Sequence, residues 1–372
     1  MGQERGAGAE ALGRHRITRV DTAWIASVYL RTVGRNSFRG SHGSGGRHQV
    51  VVLTTDRGAV GWGPPLGQLG DAGRFVGRTV ADLIDPGHGV VDEALTLDYA
   101  LHDLAGIILD MPVHRMLGGA GPTQFPVYSG AIYFDDLDPV EAPQGLSAVE
   151  RNLAQDWAAG FRDFKLKLGR GYRWMPRAEG LARDIEATRL TRELYPDARI
   201  LVDPNDGYSI NDMTEYLAAV SDVGLYWIEE PFAERLEDLV ELRRLVDERS
   251  PSMLIADGEY RPEIPVVTEF AAKGLVDVLL MDVLNYGLTA WRRIMPTVIA
   301  SGAAISPHAW GWPLKTLYAA QIASGLGNAH IIEGVPGTTT GVDAGGYRFE
   351  DGILTLPDRP GFGLKLLANA VQ

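Results

Sequence analysis

After Phe125 the chain alternates regularly between short apolar runs and longer segments with a helical pattern. Eight runs, from PVYSGAIY to AHIIEG, are separated by seven helical patterns. The runs are apolar almost throughout, which is typical of strands that are covered on both faces. Because short strands that alternate with helices form parallel sheets, the pattern predicts an α/β fold whose strands close into a barrel.

Six of these runs end in ionisable side chains. They read FKLKLG, RILVDPN, LYWIEEP, MLIADGE, VLLMDV and AISPHAW, and they supply Lys165, Lys167, Asp203, Glu229, Glu230, Asp257, Glu259, Asp282 and His308. The carboxyl ends of parallel barrel strands meet at one face of the barrel, where active sites form. We therefore expect these side chains to converge on one site, and we interpret the protein as a metal-dependent enzyme.

Three carboxylates, Asp203, Glu229 and Glu259, are the candidate metal ligands because they end consecutive runs. Converging carboxylates repel one another unless a cation neutralises them, and an all-oxygen set suits Mg²⁺. The sequence contains no cysteine, which excludes thiolate ligands and disulfides. Asp257 competes with Glu259 for the third position, because only one face of a strand points into the site. Asn205 is either a donor to a bound carboxylate or a turn residue.

Two pairs of residues are candidate acids and bases. Lys165 and Lys167 share one strand face, and neighbouring ammonium groups lower each other's pKa, as a base near neutral pH requires. His308 follows Asp282 by one strand and helix unit, so the carboxylate of one strand can orient the imidazole of the next. A base on each side of a metal site suits abstraction of a proton α to a carboxylate.

The first 125 residues have a different character. Two β-rich stretches between Ile17 and Gly63 flank a Gly/Ser/Arg loop, and a helical pattern follows from Thr79 to Leu117. This order predicts an α+β domain. Residues 1–16 are polar and lack the apolar core of a signal peptide, so we expect a loose N-terminus and a cytoplasmic protein.

The net charge of -13 and the sequence pI of about 5.1 argue against nucleic acid and anionic membranes as partners. No apolar run approaches the roughly 18 residues of a transmembrane helix. The expected partners are small molecules and other protein chains.

The motif series KLK, DPN, IEEP, DGE, SPH and IIEG, with an Asp on the sixth strand, resembles the enolase superfamily, specifically its mandelate racemase and acid-sugar dehydratase group. LDYALHDLAG and MLGG resemble helices of its capping domain. The resemblance implies an α+β capping domain over 17–125 and a modified TIM barrel of the (β/α)₇β type over 126–345. A C-terminal segment, 346–372, would return to the capping domain.

Carried over by position, the resemblance implies a role for each motif residue. Asp203, Glu229 and Glu259 would bind Mg²⁺. Lys167, with its neighbour Lys165, would be one acid/base, and His308, with Asp282, would be the acid/base on the opposite side. Glu333 would hydrogen-bond the substrate carboxylate, while Glu230 and Asn205 would lie just outside these groups. The loop 35–47 would close over the barrel, with Arg39 or His42 at the distal end of the substrate. In the aromatic stretch WGWPLKTLY, Trp310 or Trp312 either borders the substrate or packs in the core. The resemblance also implies a homo-oligomer.

The expected reaction is Mg²⁺-dependent proton abstraction through an enediolate, leading to dehydration of an acid sugar to a 2-keto-3-deoxy acid. The alternatives within the same half-reaction are a racemase, an epimerase or a cycloisomerase. Two further classes stay open: a Schiff-base aldolase barrel that uses Lys165 or Lys167 without a metal, and a non-catalytic barrel that binds a ligand.

Overall fold

The first domain is built on an antiparallel sheet. The computed structural model describes residues 2–259 and 262–368. The domain contains α1 (Gly2–Gly13), β1 (Ile17–Val33), β2 (Gly43–Thr55), β3 (Val60–Gly63), β4 (Ile84–Asp85), β5 (Gly89–Val90), α2 (Asp98–Ile108) and α3 (Val113–Met116). Helix α2 packs so closely on β3 that a Cβ atom placed on Gly61 would lie 2.4 Å from the backbone nitrogen of Leu104. Glycine is therefore required there for the close approach.

The N-terminus differs from the expectation. Residues 1–16 were expected to be loose, but Gly2–Gly13 forms α1 and Leu12 near its end is fully buried. A glycine-rich segment has a weak intrinsic helix propensity. Burial of a leucine side chain contributes about 1.5–3 kcal/mol. The contact of Leu12 with the core therefore stabilises a helix that local propensity does not predict.

The second domain is an eight-stranded parallel barrel. Its elements are β6 (Gln124–Ile132), α4 (Leu146–Ala158), β7 (Asp163–Lys167), α5 (Arg170–Arg173), α6 (Arg177–Leu194), β8 (Ile200–Asp203), α7 (Ile210–Val220), β9 (Trp227–Glu229), α8 (Leu236–Arg249), β10 (Leu254–Asp257), α9 (Ile264–Ala272), β11 (Val278–Leu279), α10 (Val283–Ser301), β12 (Ala304–Ile305), α11 (Pro313–Leu326) and β13 (Ile332–Gly334). Strands β6 to β12 pair in sequence order, and β13 returns to β6. A parallel bridge between Ile305 of β12 and Ala329, just before β13, closes the barrel.

The barrel interior explains where the polar side chains point. Leu201 of β8 and Trp227 of β9 belong to one buried apolar cluster in the barrel interior. Since alternate residues of a strand share a face, Asp203 and Glu229, each two positions further along, point into the same interior at its carboxyl end. Ala256 of β10 belongs to the same cluster, so Asp257 lies on the opposite face of its strand.

The C-terminal part joins both domains and comprises β14 (Gly337–Thr340), β15 (Val342–Asp343), β16 (Arg348–Glu350), β17 (Ile353–Thr355) and β18 (Lys365–Leu366). Strand β14 is antiparallel to β1, so the chain returns to the capping sheet before residue 345, where we expected the barrel to end. Strand β17 pairs with β6 of the barrel, while the Phe362 amide donates to Asp103 in the capping domain.

Across residues 2–259 and 262–368, no helix combines the length and the apolar character needed to cross a lipid bilayer.

Candidate active site

Three carboxylates meet at the mouth of the barrel. One oxygen from each of Asp203, Glu229 and Glu259 lies within 4.8 Å of the others. Asp203 and Glu229 are buried, and the Glu259 Oε2 atom is buried without a hydrogen-bond partner among the described residues. Hard oxygen donors that face one another in this way suit a divalent cation, and Mg²⁺ in particular. This triad can therefore bind a metal ion.

The geometry favours Glu259 over Asp257 as the third member of the triad. Asp257 lies on the outer face of β10, and its Oδ1 atom accepts a hydrogen bond of 2.6 Å from the Gly258 amide. Burial raises the pKa of Asp257 well above its usual range. Glu230 accepts a 3.1 Å hydrogen bond from the Glu259 amide, and it therefore holds the backbone of this candidate ligand.

The two lysines of β7 lie beside the triad. Lys165 Nζ is 2.5 Å from Glu229 Oε1 and 3.0 Å from Glu333 Oε1, and Lys167 donates to Asp203 Oδ2. Burial by itself lowers the pKa of Lys167, but Asp203, Glu259 and Glu229 together outweigh burial and the pKa is raised. The pKa of Lys165 is also raised, by Glu229 and Glu333 against burial. Lys165 lowers the pKa of Lys167, as predicted, but the carboxylates of the triad outweigh this effect.

His308 and Asp282 form a hydrogen-bonded pair at the other side of the triad. The distance from His308 Nδ1 to Asp282 Oδ2 is 2.8 Å, and Nε2 lies 3.1 Å from Glu259 Oε1. The other oxygen of Asp282 caps α10 by accepting from the Leu284 and Asn285 amides. The imidazole is thus oriented by a carboxylate that is itself fixed to a helix start.

Glu333 of β13 is buried between the two candidate acid/base groups. Its Oε2 atom accepts a 2.8 Å hydrogen bond from the Ala309 amide and lies 3.5 Å from His308 Nε2. Although burial raises the pKa of Glu333, Lys165 and His308 lower it to about 2. An ionised Glu333 accepts hydrogen bonds but donates none. The expected hydrogen bond to a substrate carboxylate therefore requires a proton on Glu333.

The loop between β1 and β2 closes over this mouth through Asn205. The Asn36 amide donates to Asn205 Oδ1 over 2.9 Å, and Ser37 Oγ donates to the Asn205 carbonyl over 3.0 Å. Asn205 therefore contacts the loop. The Arg39 side chain is exposed. His42 is packed against the protein, and burial lowers its pKa to about 4, so its imidazole is neutral at pH 7.

Aromatic rings surround the loop and the barrel mouth. Tyr133 lies with its ring centroid 4.9 Å from Trp310 and 4.7 Å from His42, and Tyr29 lies 5.6 Å from Trp310. We call Tyr29, His42, Tyr133 and Trp310 the aromatic wall. Lys167 Nζ is 5.4 Å from the centre of the Tyr133 ring, which brings the wall to the acid/base group of β7.

The comparisons with known proteins settle the family. Residues 148–370, more than half of the chain, match the family model described as Enolase C-terminal domain-like. The chain belongs to the enolase superfamily. Its structure is similar to a galacturonate dehydratase from Geobacillus sp. complexed with Mg, with 31% identity, 95% of this chain and 93% of that chain covered, and a TM-score of 0.88.

Other members of the enolase superfamily resemble the chain at lower identity. D-galactarolactone cycloisomerase from Agrobacterium fabrum is 24% identical, with 87% of this chain and 90% of the relative covered. Arabinonate dehydratase from Saccharolobus solfataricus is 25% identical, with 72% and 68% covered. The predicted family, the capped barrel and an enzyme of the dehydratase or isomerase type are thus confirmed, whereas the roles of individual residues stay predictions.

Sequence reasoning missed Tyr133 and Asn36. Tyr133 directly follows β6, so the rule that selected polar residues at strand ends applies to it as well. Asn36 lies in a polar loop, where nothing in the sequence distinguishes it from its neighbours. Membership of the enolase superfamily limits the reaction types to be considered, and Asn36 and Tyr133 add loop and aromatic contacts near the barrel mouth.

Proposed function

We propose that the chain is a Mg²⁺-dependent dehydratase of a monocarboxylic sugar acid, with a hexuronate as the leading substrate. The observation that carries this proposal is the placement of Lys167 and His308 on opposite sides of the carboxylate triad. Lys167 contacts Asp203, while His308 lies against Glu259. Loss of water needs one group that removes a proton and a second that protonates the leaving hydroxyl.

Mg²⁺ bound by Asp203, Glu229 and Glu259 would neutralise the charge that develops on the substrate carboxylate. Either Lys167 or His308 Nε2 removes the α-proton, and the opposite group donates a proton to the β-hydroxyl. The C–H and C–O bonds break, water leaves, and the resulting enol becomes a 2-keto-3-deoxy acid. Lys165, buried between Glu229 and Glu333, adds a positive charge beside the site.

The aromatic wall and the relatives support this choice of substrate class. The Trp310 ring is partly exposed, and an aromatic ring face of this kind suits the C–H face of a sugar ring. A related structure from Geobacillus sp., 31% identical with a TM-score of 0.88, is complexed with D-galacturonate and 5-keto-4-deoxy-D-galacturonate. For a hexuronate in this site, the α-proton is the one on C5 and the leaving hydroxyl is the one on C4. The oxygen on C5 is the ring oxygen, so the hemiacetal bond between C1 and this oxygen opens to the aldehyde as the enol forms. The enol then becomes the 5-keto-4-deoxy acid, which is the 2-keto-3-deoxy acid when numbered from the carboxylate.

A cycloisomerase is the second candidate, because D-galactarolactone cycloisomerase from Agrobacterium fabrum matches 87% of this chain over 90% of its own length. It shares proton transfer at the carbon next to a carboxylate but keeps all atoms of the substrate. Product mass therefore separates the two candidates, since dehydration removes 18 Da as water and cycloisomerisation leaves the mass unchanged.

The test is a proton NMR screen of hexuronates, aldonates and sugar lactones with Mg²⁺ in ²H₂O. We expect loss of the α-proton signal together with a deoxygenated product for at least one hexuronate. A Lys167→Met, His308→Asn double variant controls for uncatalysed exchange. If folded protein with Mg²⁺ exchanged no α-proton of any acid in the screen, the proposal would be overturned.

A further inference from the structure

Lys315 is a buried cation that the proposed reaction does not use. It lies in the first turn of α11, and only 6% of its surface is exposed. Its Nζ atom donates to Asp282 Oδ2 and, over 2.7 Å, to the carbonyl oxygen of Trp310. A buried ammonium group is costly unless it is paired and hydrogen-bonded. The two contacts satisfy this requirement and define where Lys315 acts.

The contact with Asp282 completes the hydrogen bonding of that carboxylate. Oδ1 accepts from the Leu284 amide at 2.8 Å and the Asn285 amide at 3.0 Å, while Oδ2 accepts from His308 Nδ1 and Lys315 Nζ. Four donors fix the position of both oxygens. Although burial raises the pKa of Asp282, Lys315 and His308 together lower it below the usual range.

A carboxylate that stays ionised can only accept hydrogen bonds. His308 Nδ1 must then carry the hydrogen of the 2.8 Å contact, and Nε2 is the ring atom that faces the site, 3.1 Å from Glu259 and 3.5 Å from Glu333. Nε2 is the atom that exchanges a proton with substrate. Without Lys315, Oδ2 would lose one of its two donors and gain freedom to move.

The second contact links the same cation to the aromatic wall. Trp310 lies two residues after His308 on the loop between β12 and α11, and its ring packs against Tyr133. By bonding the Trp310 carbonyl, Lys315 ties this loop to Asp282 at the end of the neighbouring strand. One side chain therefore sets both the imidazole and the indole relative to the triad.

We infer that Lys315 is a positioning residue for the acid/base His308: it holds Asp282 and the Trp310 carbonyl so that His308 Nε2 points into the site. The inference rests on the proposed function only for the role of His308 as acid/base. The orientation of the imidazole can be measured without turnover.

The experiment uses ¹⁵N-histidine-labelled protein and compares the wild type with Lys315→Met and Lys315→Arg. The Nδ1–H signal of His308, assigned by its loss in His308→Asn, should be protected from solvent exchange in the wild type and in Lys315→Arg. It should broaden or vanish in Lys315→Met. We expect kcat of Lys315→Met to fall by about 10- to 100-fold, as for other residues that orient functional groups, with a much smaller change in KM and partial rescue in Lys315→Arg.

Lys273→Met is the matched control, because Lys273 is exposed and forms a surface salt bridge with Glu269, one helical turn earlier. If Lys315→Met does not fold, Lys315→Gln keeps a donor for the Trp310 carbonyl without the charge, and the same criteria apply to it. An unchanged Nδ1–H signal with kcat within twofold of the wild type would overturn the inference. Absence of turnover in every protein would instead count against the proposed function, while the NMR comparison would still test Lys315.

Discussion

Asn36 in the loop between β1 and β2 donates a 2.9 Å hydrogen bond to Asn205, whose own backbone amide donates to Asp203 over 2.8 Å. A single residue therefore connects the loop over the barrel mouth with a candidate metal ligand. Ser37 is buried beside Asn36, and a Cβ atom placed on Gly207 would lie 2.6 Å from the Cβ atom of Ser37. The closed loop thus fits tightly against the segment that follows Asp203.

Replacing Asn36 by Ala should loosen loop closure. The variant leaves Asn205 Oδ1 without its donor, and one such hydrogen bond is worth about 0.5–1.5 kcal/mol. We expect KM for the best substrate to rise by about 2- to 12-fold, with a smaller change in kcat. Steady-state kinetics at saturating Mg²⁺ measures this. Ser44→Ala, at an exposed position of β2, is the control, and an equal rise in KM there would refute the link.

Glu259→Gln should lose most of the affinity for Mg²⁺. An amide oxygen carries no charge to balance the cation, so we expect binding to weaken by at least about 10-fold. Isothermal titration calorimetry with Mg²⁺ alone gives the affinity without turnover. Asp257→Asn is the matched control, because Asp257 lies two residues away on the outer face of β10 and its Oδ1 atom accepts from the Gly258 amide. Loss of Mg²⁺ binding in Asp257→Asn but not in Glu259→Gln would reverse the ligand assignment.

Trp310→Leu should weaken the binding of cyclic sugar acids. The indole ring forms part of the aromatic wall against Tyr133 and Tyr29, and loss of an aromatic contact costs about 0.5–1.5 kcal/mol. We expect KM for a hexuronate to rise by about 2- to 12-fold, and KM for an open-chain aldonate to rise less. Trp312→Leu is the control, since Trp312 stacks on His48. Equal losses on both substrates would contradict a ring-specific role.

The His48 side chain should lower the free energy of unfolding at acidic pH. Burial is the main cause that lowers the pKa of His48 to about 4, and Lys315 adds to it. The unfolded chain, with a histidine pKa near 6.5, therefore binds more protons than the folded one between about pH 6.5 and pH 4. The free energy of unfolding should fall as the pH drops through this window.

Urea unfolding of the wild type and His48→Gln at pH 7 and pH 5 measures this effect. Gln does not titrate, so the variant should lose less stability than the wild type over the same interval. His88→Gln, at an exposed turn, should behave like the wild type. An identical pH dependence in the wild type and His48→Gln would remove His48 as a cause.

Much of the fold was predictable because strand and helix periodicity is a local property. The convergence of Asp203, Glu229 and Glu259 followed from it, since residues at the ends of parallel strands meet at one face. Helix α1 was missed because its glycine-rich sequence is a weak helix former and packing stabilises it. The raised pKa of Lys167 was missed because it depends on distances across strands, which a single sequence does not contain.

The pairing of β14 with β1 means that the barrel is inserted within the capping domain. The chain leaves the capping domain at β6, returns at β14, pairs with the barrel again through β17 and comes back to the capping domain at Phe362, so four crossings connect the two domains. Each crossing removes some freedom of one domain to rotate against the other. We therefore expect the barrel mouth to open by movement of the β1–β2 loop rather than by separation of the domains.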